Sequence, residues 1–331
     1  MLTTDLLPPI ENEMRRVLAL ADGERYHLLH HMMAYHLGWE GEGAGPEAAG
    51  KRVRPVLVLL TAAAAGGDWR AALPAAAAVE LLHNFSLIHD DIEDNSPTRR
   101  GRPTLWKLWG IPQAINTGDA MFTLAHTAIL RLKLPPERVL EAAEVFQRAC
   151  LRLTQGQFLD IAYEQERSLP LTAYWPMVSG KTAALLAACT ELGALCAGAG
   201  GEIRAAYREF GEKLGLAFQA LDDELGIWGD EARTGKSAAS DLLEGKKSLP
   251  VLYGLERKGE FARRWMAGPL TAEEIPALAA QLEAEGARGY TQETAARLTD
   301  EALSALERAR PRGEAAEALR ALALRLLKRR A

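Results

Sequence analysis

Leu87-Ile88-His89-Asp90-Asp91-Ile92-Glu93-Asp94, continued by Asn95-Ser96-Pro97-Thr98-Arg99-Arg100-Gly101, decides how the rest of the chain is read. The apolar run before the acids lacks the alternation of a strand and reads as helix. Four acidic side chains fall within five positions. Successive helical residues turn by about 100°, so Asp90 and Asp94 stack one turn apart on one face, with Asp91 beside them. Two carboxylates at that spacing repel unless a cation sits between them. A hard divalent ion with oxygen ligands, Mg²⁺ above all, suits the pair and also binds substrate phosphates. Arg99 and Arg100 follow, and a guanidinium is the natural counterpart of a polyanion. Read alone, the stretch could equally be a solvated acidic helix end followed by a basic loop.

A second acidic cluster, Asp222-Asp223-Glu224, weighs against that bland reading. It also ends an apolar helical run, Leu214 to Leu221, and is also trailed by cations, Lys236, Lys246 and Lys247. Two such patches are expected to form two walls of one metal–diphosphate site.

Composition agrees with a helical fold. Hydrophobic residues make up 48% of the 331 residues but aromatics only 6%, and the dominance of Ala and Leu favours helix over sheet. The net charge of −5 offers no global basic field for nucleic acid. Cys150, Cys189 and Cys196 have no metal-ligand spacing and read as buried hydrophobes in a reducing compartment. Residues 1–12 carry Asp5, Pro8, Pro9 and Glu11, unlike a signal or transit peptide. No apolar run is expected to span a bilayer, and the protein is expected in the cytoplasm.

Taken in order, residues 10–37 read as one or two amphipathic helices and Gly38 to Gly50 as loop. Gly50-Lys51-Arg52-Val53-Arg54-Pro55 then leads into an apolar helix; three cations at a helix start suit an anion, though taken alone the stretch reads more readily as a solubilising turn. A long Ala-rich helix covers 71–89, with His83 two turns before Asp90 on roughly the same face. Ser179-Gly180-Lys181-Thr182 lacks the first glycine and the strand of a P-loop, yet a Lys and a Thr at a helix kink can still reach a diphosphate. The stretch from Trp228 to Pro250 is polar and Gly-bearing, as a lid over phosphate would be. No repeat, linker or composition break divides the chain, so 1–331 is expected to be one domain.

In five places, and in the right order from about Gly50 to Pro250, the chain resembles the trans-isoprenyl diphosphate synthases, or polyprenyl synthetases. These are GKRVRP, the first acidic cluster with its RRG, GKT at 180–182, FQALDD at 218–223, and the GK…GKKSLP segment. The resemblance implies an all-α fold, a single large helical bundle of the isoprenoid synthase type around a central apolar cavity. It implies condensation of isopentenyl diphosphate with an allylic diphosphate by metal-assisted ionisation. Lys51, Arg54, His83 and Arg100 would hold isopentenyl diphosphate. Asp90, Asp94 and Asp222 would hold Mg²⁺, three ions with substrate bound, with Asp91 and Gln219 in the same machinery. Arg99, Lys181, Thr182, Lys236 and Lys246 would take the allylic diphosphate, and the enzyme would pair as a homodimer. One departure stands out: the family usually carries a third Asp where this chain has Gly226, a group expected to act mainly through water. Phe85 and Ser86, one turn before Asp90, would set product length and resemble the pattern of geranylgeranyl diphosphate synthases. A class I terpene cyclase and a non-catalytic partner subunit are the rival readings.

Overall fold

Ala and Leu lose little side-chain freedom in a helix, and helices account for nearly all regular structure among the described residues. A computed structural model describes residues 3–229 and 240–327. The one β feature there is a two-residue hairpin, β1 (Thr98–Arg99) against β2 (Arg102–Pro103), with Thr98 opposite Pro103. The expected all-α class is observed.

The chain divides into two compact units, each described here by itself. One comprises Met1–Gln147, Cys189–Arg204 and Arg310–Leu319; the other comprises Arg148–Ala188, Ala205–Ala309 and Arg320–Ala331.

In the first unit, α1 (Thr3–Leu18) starts earlier than expected, with Pro8 and Pro9 inside it, and α2 spans His27–His36. After a loop come α3 (Val53–Ala64), α4 (Leu73–Glu93) and α5 (Ile111–Ile129). Helix α4 is the axis of this unit and packs against α1, α3 and α5. Its Ala75-Ala76-Ala77-Ala78 run is wholly buried, because small side chains let neighbouring helices approach closely. One expectation needs correction. Residues Trp69–Glu93 are, by length and composition, apolar enough to cross a membrane. Most of that window is buried inside the protein, so its apolar character is used in helix packing.

The second unit contains the C-terminal part of α6 (Pro136–Glu164), the first residues of α7 (Ala184–Cys196) and most of α8 (Gly201–Trp228). Between α6 and α7 the backbone widens into one π-helical turn, Ser179–Ala183, at the kink the sequence suggested. Farther on, α9 (Leu249–Arg257) packs on α10 (Ala287–Arg308), where Tyr253 and Tyr290 stack at 4.5 Å. Tyr174, Leu252, Phe261 and Leu282 fill the core of this unit.

Candidate active site

In the first unit, α4 carries the acidic cluster out of the core. Asp90 is half-buried and Asp94 exposed. Asp94 caps the helix, its N–H donating to the Asp90 carbonyl at 2.8 Å, so the one-turn stacking survives the helix end. Asp91 instead turns inward, 2% exposed, and accepts a hydrogen bond from Arg99 Nε at 2.7 Å. Burial pushes its carboxyl up to about 6, only partly offset by Arg99. Asp91 thus holds the arginine rather than facing solvent.

The basic residues split in the same way. Lys51 is exposed. Arg52, which sequence reasoning did not single out, is buried in a left-handed backbone conformation at the N-cap of α3. It donates to Glu11 Oε1 at 2.7 Å, Glu80 Oε1 at 2.9 Å and the Leu37 carbonyl at 3.1 Å. Arg54 is half-buried, and its Nε is enclosed without a hydrogen-bond partner. Arg100, also at positive φ, donates from Nη1 to the Ala48 and Ala49 carbonyls at 2.9 Å. A Cβ on Gly50 would meet the Arg100 guanidinium carbon at 2.6 Å. The glycine of GKRVRP therefore lets that arginine lie over the backbone. Arg102, another residue the sequence did not mark, donates to the carbonyls of Tyr35 and Glu42 and covers the Tyr35 ring.

Two histidines record the positive field here. Burial, followed by Arg54, Arg100 and Arg99, pushes His83 well below its usual range. Burial with Arg99, Arg100, Arg52 and Arg102 pushes His36 down to about 3. His36 Nε2 is buried with no partner, and nothing in the sequence near His36 distinguishes it. Arg52 and Arg99 have carboxylate partners, whereas Arg54 has none among the described residues and the Arg100 Nη1 bonds go to neutral carbonyls. The recess is thus suited to an anion. Below Asp90, the Phe85 ring packs at 4.7 Å from His89 and 4.9 Å from Phe122 of α5. The Ser86 hydroxyl turns back onto the His83 carbonyl at 2.8 Å.

In the second unit, α6 and the π-helical turn meet through glycines. A Cβ on Gly180 would stand 2.6 Å from the Arg152 carbonyl and 2.7 Å from Gly156 Cα. This approach sets Lys181 against Asp160, with which it forms an ion pair; Asp160 lies in the GQFLD run but was not assigned a role. Thr182 Oγ1 donates to Gln219 Oε1 at 2.8 Å, and Gln219 Nε2 donates to Asp223 Oδ1 at 2.9 Å. The Leu249 N–H donates to Asp223 Oδ2 at 2.9 Å. Burial raises the Asp223 carboxyl to about 7. Glu224 accepts from Arg288 Nε at 3.1 Å and Gln292 Nε2 at 2.6 Å. Of the second cluster, Asp222 alone stays half-exposed. Lys246 lies 2.8 Å from Glu244 Oε2 and 3.7 Å from Asp241 Oδ1. Lys236 falls outside the described residues, as does much of the expected lid.

A scan against family models matches residues 45–274 to the polyprenyl synthetase model. The chain belongs to the polyprenyl synthetase family. It is 43% identical over 276 residues to a (2E,6E)-farnesyl diphosphate synthase of Mycobacterium tuberculosis, covering 80% of this chain and 76% of that one. It is 41% identical over 285 residues to the geranylgeranyl diphosphate synthase of the same organism, covering 83% and 80%. The solved geranylgeranyl pyrophosphate synthase of Corynebacterium glutamicum, complexed with isoprenyl diphosphate and magnesium, superposes with a TM-score of 0.84 at 27% identity, covering 97% and 98%. The family match accounts for the order of motifs from GKRVRP to GKKSLP and makes this polyprenyl synthetase a prenyl-transferring enzyme.

The donor set of the acidic clusters suits magnesium. Asp90, Asp94 and Asp222 present hard oxygens at partly exposed positions. Among the described residues, no three His, Cys, Asp or Glu side chains close into a cage. Mg²⁺ is typically held in such places by one or two carboxylates, with substrate oxygens and water completing its shell.

Proposed function

We propose that this polyprenyl synthetase condenses isopentenyl diphosphate head-to-tail with an allylic diphosphate and releases a short all-trans product, geranylgeranyl diphosphate. The observation that carries the reading lies within the first unit. Stacked carboxylates at the end of α4 stand two turns from His83, in a recess where Arg54 has an enclosed, unpartnered Nε. Acid for a metal and base for a diphosphate thus come from one helix and the loops packed against it.

On this reading Lys51, Arg54, His83 and Arg100 bind the diphosphate of isopentenyl diphosphate, with His83 neutral and hydrogen-bonding. Asp90, Asp94 and Asp222 hold Mg²⁺, which when bound screens the charge growing on the leaving diphosphate. Arg99, Lys181, Thr182, Lys236 and Lys246 orient the allylic diphosphate, with Gln219 bridging Thr182 to Asp223. The allylic C–O bond breaks, and the electron pair of the isopentenyl double bond forms the new C–C bond. The proton lost from the adjacent carbon passes to the departing diphosphate. Alanine- and leucine-rich helix faces keep a central apolar cavity dry, since water would capture the cation.

The reading treats 1–331 as one synthase domain acting as a homodimer in the cytoplasm. Exposed Leu108, Ile111 and Ile115 support pairing, and three buried free cysteines support a reducing compartment. Purified protein incubated with labelled isopentenyl diphosphate and allylic primers of increasing length should yield mainly a C20 diphosphate, and EDTA should abolish it. Asp90→Ala should lower turnover by several powers of ten, since a lost charge-stabilising group costs about 3–4 kcal/mol or more. Cyclised products without elongation, or turnover indifferent to EDTA and to Asp90→Ala, would overturn the proposal.

A further inference from the structure

Helix α2 ends at His36, and both basic motifs of the first unit are tied to its last turn. Arg102 Nη1 donates to the Tyr35 carbonyl at 2.7 Å, and Arg52 Nη2 donates to the Leu37 carbonyl at 3.1 Å. One bond comes from the hairpin that carries Arg99 and Arg100, the other from GKRVRP. They close on the residues immediately before and after His36, where the negative end of the helix dipole favours cations. Tyr35 adds a third tie, its hydroxyl donating to the Pro103 carbonyl at 2.9 Å. His36 is thereby fixed at the junction of the two motifs.

Its Nε2 is enclosed and has no hydrogen-bond partner among the described residues. Buried polar atoms are nearly always paired, and an orphan beside a basic recess is what an arriving anion would pair. Arg99 and Arg100 act on both His36 and His83, and His36 acts on His83. The two imidazoles therefore line one recess, His36 from α2 and His83 from α4. Burial, then Arg99, Arg100, Arg52 and Arg102, keeps the His36 ring neutral. A neutral imidazole offers a donor without adding another positive charge beside those arginines. A diphosphate oxygen only accepts, so Nε2 would meet it as the donor.

We infer that His36 is a further binding residue for isopentenyl diphosphate, donating from Nε2 to a diphosphate oxygen alongside Arg54, His83 and Arg100. The inference rests on the reading of this recess in the proposed function and deepens it. It adds a residue that lies outside every motif singled out in the sequence and reaches the recess from a separate helix.

The test is steady-state kinetics of the full chain with Mg²⁺, varying isopentenyl diphosphate and the allylic primer in turn, alongside thermal unfolding. His36→Leu removes the donor and keeps a side chain of comparable bulk. It should raise KM for isopentenyl diphosphate about 10-fold or more, the range of a hydrogen bond to a charged group. KM for the allylic primer should hold, and so should the unfolding temperature, because the lost nitrogen has no partner in the ligand-free protein. His36→Gln returns an N–H and should recover most of the loss. A merely structural residue would instead lower the unfolding temperature and weaken both substrates together. A smaller or unselective change in folded His36→Leu overturns the inference, as does a folded His36→Gln no better than His36→Leu. If His36→Leu does not fold, a crystal structure of the wild-type protein with isopentenyl diphosphate decides. Nε2 within about 3.2 Å of a diphosphate oxygen supports the inference, and a wider gap or an intervening water overturns it. Wild-type protein that does not elongate isopentenyl diphosphate overturns the proposed function along with this inference. Wild-type turnover whose KM His36→Leu leaves intact overturns the inference only.

Discussion

Arg52 and Arg54 are two residues apart in one motif and do different work. Arg52 joins Glu11 and Glu80 inside the first unit, so Arg52→Ala leaves a buried carboxylate without its partner. Such a break costs about 3–5 kcal/mol, to be read from denaturant unfolding. Arg54→Ala removes an enclosed donor that has no protein partner. It should raise KM for isopentenyl diphosphate selectively; equal weakening of both substrates would indicate a structural role instead. Asp223 gives a pH signature. Its native carboxyl titrates at about 7 against an ordinary 3.8, so the native state keeps a proton that the unfolded chain has already released. Its contribution to stability is full below pH 3.8 and is lost as the pH rises to about 7. The stability difference between wild type and Asp223→Asn should therefore fall across that window in thermal unfolding at fixed ionic strength. A flat difference would mean that Asp223 is not buried as described.

Two contacts between elements control the geometry around the site residues. The crossing of α6 with the π-helical turn depends on Gly156 and Gly180, where an added Cβ would meet backbone that cannot yield. Gly180→Ala should destabilise by about 1–3 kcal/mol, the usual cost of overpacking. It should also raise KM for the allylic substrate, because Lys181 and Thr182 lie on the displaced turn; melting temperature and steady-state kinetics check both. Between α4 and α5, Phe85 is backed by Phe122, and the ring series continues through His126 at 4.4 Å to Phe146 at 5.1 Å. Each added isoprene unit gains by burial, at about 0.8 kcal/mol per methylene, until a ring obstructs it. Phe85→Ala should lengthen the product, and Phe85→Ala/Phe122→Ala should lengthen it further. Ser86→Phe should shorten it towards farnesyl diphosphate. Product sizes unchanged on reverse-phase chromatography would move the floor elsewhere.

At the scale of the molecule, Ile111 and Ile115 lie one turn apart on α5, with Leu108 on the short helix Leu105–Trp109 before it, and all three are 41–48% exposed. Apolar stripes left on a surface mark association sites. Ile111→Glu/Ile115→Lys should shift the sedimentation coefficient from that of a dimer to that of a monomer. Wild-type protein that sediments as a monomer would remove the homodimer from the proposed function.

The amino-acid order alone determined the helical class, the one-turn stacking of Asp90 on Asp94, the kink at Ser179 to Thr182 and the succession of motifs that marks the family. These depend on residues within a few positions of each other, where helix periodicity governs which side chains share a face. The same periodicity could not say which charges turn inward. Lys51 and Arg52, or Asp222 and Asp223, are equivalent as polar neighbours until Glu80 and Leu249 arrive from elsewhere in the chain. The His36 imidazole is held down by burial and then by arginines brought beside it in space, and the room beside Gly226 is filled by the Asp241 side chain. Those assignments are made by packing, because burial and Coulomb interaction depend on distance in space and not on separation along the chain.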